Sequence, residues 1–298
     1  MSSLVRHWTK AIKAKSWRSA DNASLGPANH LINLLNQVLP AGFFKKQLTF
    51  GDKVPPGFQF LYNLQNNIVM GRDGYDDFQA PMVKNKELFR RRMWVQGKYD
   101  FGTAYTNGEE TQKIGQELWC NETIPTVRSL NEGESVFVTI ERDFGAVKEF
   151  RSLVYTNKQY ELPLSSGGSE GKESEWLSSN GYNEVIGLNE LHRMNVIKYS
   201  FLTYNVHKIH LDQAYAELEG LPDLIVQGPY LATILLQLCP PKGLVGFNYK
   251  NVQPCFVGEV PMVYIKREDK EIKLVMVDGS GSKRIIEGVA SYDKSTTE

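Results

Sequence analysis

The chain has 298 residues, of which 41% are hydrophobic and 11% aromatic, so it can bury the core of one large or two medium-sized globular domains. Its 34 basic and 34 acidic residues leave no formal net charge, which excludes a global field that would attract nucleic acid or an anionic membrane surface. The three cysteines, Cys120, Cys239 and Cys255, form no CxxC pair and exclude both a disulfide framework and a zinc knuckle.

A basic N-terminal segment is predicted over 1–22. Leu4, Trp8 and Ile12 recur at helical spacing, and five basic residues precede the first acidic residue, Asp21. An amphipathic, acid-free, basic helix is typical of a mitochondrial presequence and predicts a protein of the mitochondrial matrix; a basic surface helix of the mature protein is the alternative. No apolar run reaches the roughly 18 residues needed to span a bilayer, so no membrane association is expected.

A first unit of helix and antiparallel sheet is predicted over 23–160. Apolar residues between Leu31 and Val38 recur at helical spacing, and the helix ends before Pro40. Segments rich in Val, Ile, Phe, Tyr and Thr follow. They predict strands over 93–101, 114–127, 136–144 and 148–156, with turns at 107–108 and 131–133.

A linker is predicted over 161–182, because small and polar residues dominate 165–171 and cannot bury apolar area. The domain boundary is placed there. The second unit, 183–298, repeats the theme of the first, with a helix at Tyr230 among several strands. Those strands are predicted over 195–202, 245–252, 260–266, 272–277 and 284–290.

The helix that follows Gly228 is apolar nearly all round, and such a helix must be buried. Pro229 suits the first helical turn, where its missing N–H costs nothing, and Pro240 stops the helix about ten residues later. A short buried helix held by an antiparallel sheet is the hot-dog arrangement. The predicted fold class is therefore α+β, a tandem hot-dog with two antiparallel sheets, each wrapped around a helix.

A polar segment, Tyr199–Asp212, is the candidate site. It brings His207 and His210 close to His192, three of the five histidines of the chain. The alternative is that His207 and His210 are ordinary hydrogen-bonded polar residues in a turn, without a catalytic role. The pattern His-x-x-His-x-Asp also suggests a metal, but an iron facial triad needs a distant second histidine and no histidine follows His210. Neither a metal nor a cofactor is predicted.

The same segment resembles a known family. Tyr199–Asp212 reproduces the pattern Tyr/Phe-Ser-x-Leu-Thr-x-Asn-x-His-x-Ile-His-x-Asp of the mitochondrial hydroxyacyl-thioester dehydratase type 2 proteins, within the MaoC-like hydratases and dehydratases. Gly228-Pro229-Tyr230-Leu231-Ala232-Thr233 matches the helix start of that family. Asp73-Gly74 and Arg91-Arg92-Met93-Trp94, with Gly97, are similar to its motifs in the first half.

The resemblance implies a double hot-dog in which the second unit supplies the acid and base, while the first lacks them and shapes the acyl tunnel. The implied reaction converts (3R)-3-hydroxyacyl thioesters to trans-2-enoyl thioesters in mitochondrial type II fatty acid synthesis. Acyl carrier protein or CoA would present the substrate, and no nucleic acid or membrane partner is expected. The protein is expected to be a monomer or a homodimer.

Five residues receive roles from this resemblance and from the chemistry of the reaction. His210 can carry a proton near neutral pH, Asn205 can fix the hydroxyl or water, and the backbone N–H of Gly228 can stabilise the thioester oxyanion. Many hydratases of this branch have Asp where Asn205 stands, and an amide cannot accept the proton. Either His210 performs both transfers, or His207 or Asp212 takes part.

Two other functions remain open. A hot-dog thioesterase would also bind an acyl thioester, and Asp212 could supply the carboxylate that activates water. A non-catalytic hot-dog protein that binds acyl carrier protein is the third reading. The basic run 90–92 could dock an acidic carrier protein or the phosphate of phosphopantetheine; an ion-paired patch is its alternative.

Overall fold

Both halves of the computed structural model contain helices followed by a run of strands; the structure describes residues 3–65, 69–102, 105, 112–160 and 170–293. The first half contains α1 (Ser3–Lys13), β1 (Ser16–Asn22), α2 (Leu25–Val38), β2 (Met82–Val83), β3 (Lys86–Glu87), β4 (Arg91–Phe101), β5 (Glu117–Leu130), β6 (Ser135–Asp143) and β7 (Val147–Thr156). The second half contains α3 (Lys172–Ser179), β8 (Glu184–Gly187), α4 (Arg193–Thr203), α5 (Gln213–Leu218), α6 (Gly228–Gln237), β9 (Leu244–Asn251), β10 (Met262–Arg267), β11 (Glu271–Val277) and β12 (Arg284–Tyr292).

Ten of these strands form one continuous sheet in the order β1-β5-β6-β7-β4-β9-β12-β11-β10-β8. The first five belong to the first unit and the last five to the second, and the two units are joined where β4 pairs antiparallel with β9. Both units connect their strands of this sheet in the same order. In each unit the first strand along the chain, β1 or β8, lies at the outer edge of the sheet, and the next, β4 or β9, lies at its centre. The predicted tandem hot-dog is confirmed, but the two predicted sheets are joined edge to edge into one because β4 pairs with β9.

Helix α6 is the buried helix of the second unit. Eight of its ten residues, from Pro229 to Leu236, are buried, and Pro229 occupies the first turn as predicted. The predicted strands that follow are confirmed as β9 to β12. Among the described residues, no helix is both long and apolar enough to cross a membrane.

The first unit differs at the corresponding place, before β4. The predicted helix over 31–38 is confirmed as α2, which packs against α4 of the second unit. Where the second unit has α6, the first has a single buried 3₁₀ turn, Phe58–Leu61. Gly57 starts this turn with φ 85°, and a Cβ there would lie 2.7 Å from Leu236 of α6. The turn therefore packs directly on the helix of the other unit.

The predicted strand over 195–202 is wrong, because this segment lies in helix α4. Val196, Tyr199, Ser200 and Thr203 are buried at spacings of three and four residues, which is the period of a helix face. The side-chain oxygen of Asn195 accepts a hydrogen bond from His192 N (2.8 Å) at the helix start. Of the aromatic and β-branched residues that suggested a strand, Val196 and Tyr199 are buried by this helix, whereas Phe201 is exposed.

The described part of the predicted presequence, 3–22, forms helix α1 and edge strand β1. Val5, Trp8 and Ile12 are buried, whereas Leu4, assigned to the apolar face from sequence, is 50% exposed. All seven residues of β1 pair with β5. Cleavage after residue 22 would thus remove the outer strand of the first unit, which therefore begins before residue 23. Import and cleavage of this segment stay a prediction.

The predicted linker, 161–182, is shorter in the structure. Residues 161–169 and the predicted turn at 107–108 lie outside the described residues. Helix α3 occupies the rest, and its Leu177 is fully buried against Tyr264, Val275 and Val277. This helix belongs to the second unit, because Leu177 covers the sheet there.

Replacing Trp8 by Ala tests whether α1 is part of the core. We expect the free energy of unfolding to fall by about 3 kcal/mol, because a buried indole is removed and a cavity remains. The matched control is Leu4→Ala on the exposed face of the same helix, where we expect a change within about 0.5 kcal/mol. Urea titration measures both. Equal stabilities of the two variants would show that the helix does not pack as described.

Candidate active site

A cavity of about 330 Å³ lies between the two units and is lined by residues of both. The second unit contributes four of the predicted site residues, Asn205, His207, His210 and Gly228. The remaining lining is mostly apolar, and includes Met93, Trp94, Leu153, Leu221, Ile225 and Leu231. Such a cavity suits an acyl chain that carries one reactive polar group.

His210 is buried at the end of a 3₁₀ turn, Lys208–His210. Its Nδ1 lies 2.7 Å from the carbonyl oxygen of Ile225. Because a carbonyl can only accept, Nδ1 carries the proton of the neutral ring and Nε2 carries the lone pair. Burial lowers the pKa of His210 to about 4, although the hydrogen bond to Ile225 opposes this shift. At neutral pH His210 is therefore an uncharged ring with a free proton acceptor.

Gly228 is the first residue of α6, where backbone N–H groups have no partner within the helix. The preceding residue, Gln227, fixes the helix start: its Nε2 donates to Val196 O (2.9 Å) and to Ser200 Oγ (2.8 Å). The helix dipole favours negative charge at this end. A thioester oxygen near Gly228 would therefore be stabilised as it becomes an oxyanion.

The segment 225–227 links His210 to the start of α6. Ile225 accepts the hydrogen bond from His210, and Val226 N donates to Cys255 O (2.8 Å). Gly228 follows directly. The side chain of His210 and the N–H of Gly228 are thus held by the same short piece of anchored backbone, which fixes their mutual geometry.

Asn205 and His207 lie in the loop between α4 and His210, and both are buried. Tyr204, with φ 50°, ends the helix and turns the chain into the cavity. The rings of His207 and His210 stand edge to face with centroids 5.6 Å apart. Burial, and then the neighbouring His210 and Arg92, lower the pKa of His207 well below 6.5, so this ring is also neutral at neutral pH.

Asp212 does not reach the cavity, and its predicted participation is not supported by its position. The residue is exposed, and its Oδ1 accepts a hydrogen bond from Tyr215 N (3.1 Å) as the N-cap of α5. His192 is also outside, with a side chain 63% exposed and paired with Glu190. Within the described ranges, no three His, Cys, Asp or Glu residues cluster as a metal site.

The first unit contributes more than an apolar wall. Tyr75 and Arg92 line the cavity, and Arg92 Nε donates to Asp73 Oδ2 (2.7 Å). Arg91 is buried in an ion pair with Glu219, while Arg90 has a half-exposed side chain. The basic run is therefore largely an ion-paired patch. Sequence reasoning had Asp73 only as part of a family motif, and gave Arg92 no role beyond the possible docking surface at 90–92.

Asn251, at the end of β9, is a further cavity residue that sequence reasoning missed. Its Nδ2 donates to Trp94 O (2.7 Å), which fixes the amide against Gly228. A Cβ at Gly228 would overlap this amide. No local pattern in the sequence singles out Asn251, because its neighbour Gly228 lies in another element.

A family model and a related protein of known name both point to the same family of dehydratases. Residues 57–257 match the family model described as hydroxyacyl-thioester dehydratase type 2. The mitochondrial hydroxyacyl-thioester dehydratase type 2 of Saccharomyces cerevisiae is 28% identical over 253 residues, which cover 76% of this chain and 79% of that protein.

Solved structures agree in fold. A MaoC-like dehydratase from Phytophthora capsici superposes with a TM-score of 0.66 at 12% identity, over 96% of this chain and 97% of that chain. A Mycobacterium tuberculosis protein described as having a double hotdog fold gives a TM-score of 0.55 at 12% identity, over 96% and 97% of the two chains. At these identities the likeness concerns the fold alone.

Proposed function

Because the chain belongs to the hydroxyacyl-thioester dehydratase type 2 family, we propose that it removes water from (3R)-3-hydroxyacyl thioesters to give trans-2-enoyl thioesters. One observation carries the proposal: a neutral, buried His210 with a free Nε2 shares an apolar cavity with the N-terminus of a buried helix. This pairs a proton acceptor with an oxyanion site, the two elements that elimination next to a thioester requires.

The first step removes the proton at C2. His210 Nε2 accepts that proton, and the electron pair of the C–H bond moves towards the thioester, whose oxygen gains negative charge. The N–H of Gly228 and the dipole of α6 stabilise this oxygen. The Ile225 carbonyl holds the new imidazolium through its Nδ1–H.

The second step expels the hydroxyl. The amide of Asn205 holds the hydroxyl oxygen, and His210 Nε2–H returns the proton to it. The C3–O bond breaks with its electron pair on oxygen, while the enolate electrons form the C2=C3 double bond and water leaves. Because burial lowers the pKa of His210 to about 4, its imidazolium is a stronger acid than a solvated one and returns the proton readily. This assignment uses one residue where related enzymes use two.

We place the reaction on thioesters of acyl carrier protein, in fatty acid synthesis of the mitochondrial matrix. The Saccharomyces cerevisiae relative is named as a mitochondrial protein, which supports the location. The fused units already form the interface that joins two hot-dogs, which supports an active monomer. A direct comparison of kcat/KM for 3-hydroxyacyl groups on the carrier protein and on CoA tests the substrate, and a higher value on CoA would overturn this placement.

Incubation with crotonyl-CoA tests the proposed activity in the reverse direction. We expect the absorbance of the enoyl thioester to fall while no free thiol appears. Release of free thiol would indicate the thioesterase alternative instead. If the absorbance does not fall and no free thiol appears, the protein is a non-catalytic acyl-thioester binding protein.

The pH dependence of this activity follows from the pKa of His210, which burial lowers to about 4. The base is active only when neutral, so activity is lost as pH falls through the pKa of the folded protein. We therefore expect kcat/KM for crotonyl-CoA to stay level from about pH 8 to about pH 5.5 and to fall only at lower pH. An inflection near pH 6.5 would mean that the base is a solvated histidine.

A further inference from the structure

The loop at Asp73-Gly74 of the first unit packs against the loop that carries His207. Lys208 N donates to Asp73 O (2.8 Å), which joins the two backbones. Gly74 has φ 79°, and a Cβ there would lie 2.7 Å from Lys208 Cγ and 3.2 Å from Val206 O. Only glycine permits this close approach, which holds the Asp73 loop against the loop that carries His207.

The Asp73 carboxylate is held in one orientation by donors of the first unit. Arg92 Nε lies 2.7 Å from Oδ2 and Arg92 Nη2 lies 3.4 Å from Oδ1, while Tyr75 N donates to Oδ1 (3.1 Å). Arg92 is itself fixed, because its Nη1 donates to Asp76 O (2.9 Å). The side chains of Asp73 and Arg92 are only 5% and 9% exposed. A buried, doubly anchored carboxylate of this kind keeps its position during a reaction.

Asp73 Oδ2 lies 3.7 Å from Nε2 of His207. This exceeds hydrogen-bond distance, yet a carboxylate oxygen attracts an N–H and repels a lone pair at that range. The neutral ring of His207 therefore carries its proton on Nε2, towards Asp73. Its Nδ1 is left as an acceptor.

We propose that Asp73 supplies, from the first unit, the carboxylate that the second unit lacks at position 205, and that it acts as a positioning residue through His207. His207 Nδ1 accepts a hydrogen bond from the substrate hydroxyl in dehydration, or from water in hydration. Asn205 binds the same oxygen. Neither Asp73 nor His207 takes up a proton, since His210 still moves the one proton between C2 and oxygen. The inference rests on the proposed function.

A neighbouring ion pair provides the matched control. Arg91 and Arg92 are consecutive in β4, and their side chains point to opposite faces of the sheet. Each is buried with a carboxylate, Glu219 for Arg91 and Asp73 for Arg92. Neither Arg91 nor Glu219 lines the cavity described above. Removing one charge from either pair should cost similar stability, but only Asp73 faces His207.

The test compares Asp73→Asn with Glu219→Gln. We expect Asp73→Asn to lower kcat for crotonyl-CoA about 10-fold with little change in KM, as for outer partners that orient a functional histidine. We expect Glu219→Gln to keep kcat within about twofold of the wild type at a comparable loss of thermal stability. In a His207→Ala background, Asp73→Asn should lower kcat no further, because the two residues act as one unit.

A spectroscopic measurement separates positioning from stability. Nitrogen-15 NMR of the histidine rings, with His207 assigned from its own variant, should show a neutral His207 protonated at Nε2. A ring protonated at Nδ1, or an unchanged kcat in Asp73→Asn, would overturn the inference. If Asp73→Asn does not fold, the tautomer of His207 in the wild-type protein tests the inference by itself. A wild type without hydratase activity would contradict the proposed function. The tautomer of His207 would still test whether Asp73 orients that ring.

Discussion

Replacement of His210 by Gln should lower kcat/KM for crotonyl-CoA hydration by on the order of 10³-fold. The glutamine amide can still donate to the Ile225 carbonyl, so the loop keeps its anchor. It has no nitrogen that accepts a proton at accessible pH. The loss therefore reports the missing base and not a displaced backbone. Absorbance of the enoyl thioester measures the rate, and circular dichroism checks the fold.

Asp212→Asn is the control for this prediction, because Asp212 closes the same sequence motif. Asparagine is as good an N-cap as aspartate, so α5 should start unchanged. We expect turnover within about twofold of the wild type, since Asp212 is exposed and does not line the cavity. Normal turnover in His210→Gln would refute the assigned role of His210. A large loss of turnover in Asp212→Asn would mean that the Asp212 carboxylate takes part in the reaction.

Most of the sheet could be predicted from sequence, because alternating side chains and Gly-rich turns are local signals. The strands from β9 to β12 and the fully apolar helix α6 illustrate this. Helix α4 was mistaken for a strand because its segment contains aromatic and β-branched residues such as Val196, Tyr199 and Phe201, so composition outweighed period. The pairing of β4 with β9 joins residues about 150 positions apart, for which a single sequence carries no signal.

The predicted site shows the same limit. His207, His210 and Asn205 share one short loop, so their proximity could be predicted, and Gly228 follows from the helix start. Arg92 and Asn251 reach the cavity from distant parts of the chain, and Asp73 lies beside His207 without lining the cavity itself. The sequence shows these residues and their local motifs, but it does not show which residues they contact in the folded protein. The role of Asp212 stays a prediction, but its position shows that a carboxylate in a functional motif can serve the fold, here as a helix cap.

The N-terminal segment shows how one pattern fits two roles. A basic amphipathic helix can be read by an import receptor, and the same apolar face can be buried in a folded protein. The structure buries Trp8 with Ile124 and Val138 of the sheet, a partner face that the sequence of 1–22 does not reveal. Trp8 and Ile12 are buried as predicted, but Val5 is buried in place of Leu4 at the start of the helix.

Replacement of Gly228 by Ala should lower kcat/KM for crotonyl-CoA by about 10²-fold, the scale of losing one oxyanion donor. The new Cβ would overlap the amide of Asn251, which cannot withdraw freely because its Nδ2 donates to Trp94 O (2.7 Å). The start of α6 must therefore shift, and its N–H moves away from the thioester oxygen. Gly228 has no positive φ, so backbone strain does not contribute.

Two further variants separate this steric mechanism from a general effect of adding a methyl group. Gly187→Ala on β8 is the control, because a Cβ there has no atom within 4 Å and the backbone is compatible with alanine. We expect unchanged kcat/KM. Adding Asn251→Ala to Gly228→Ala removes the overlapping amide and should recover part of the lost activity, on the order of 10-fold, since the two sites are in contact. An unimpaired Gly228→Ala enzyme would mean that the oxyanion forms elsewhere. A loss that Asn251→Ala does not relieve would mean that the methyl group blocks the thioester itself, so the substrate would have to lie directly against Gly228.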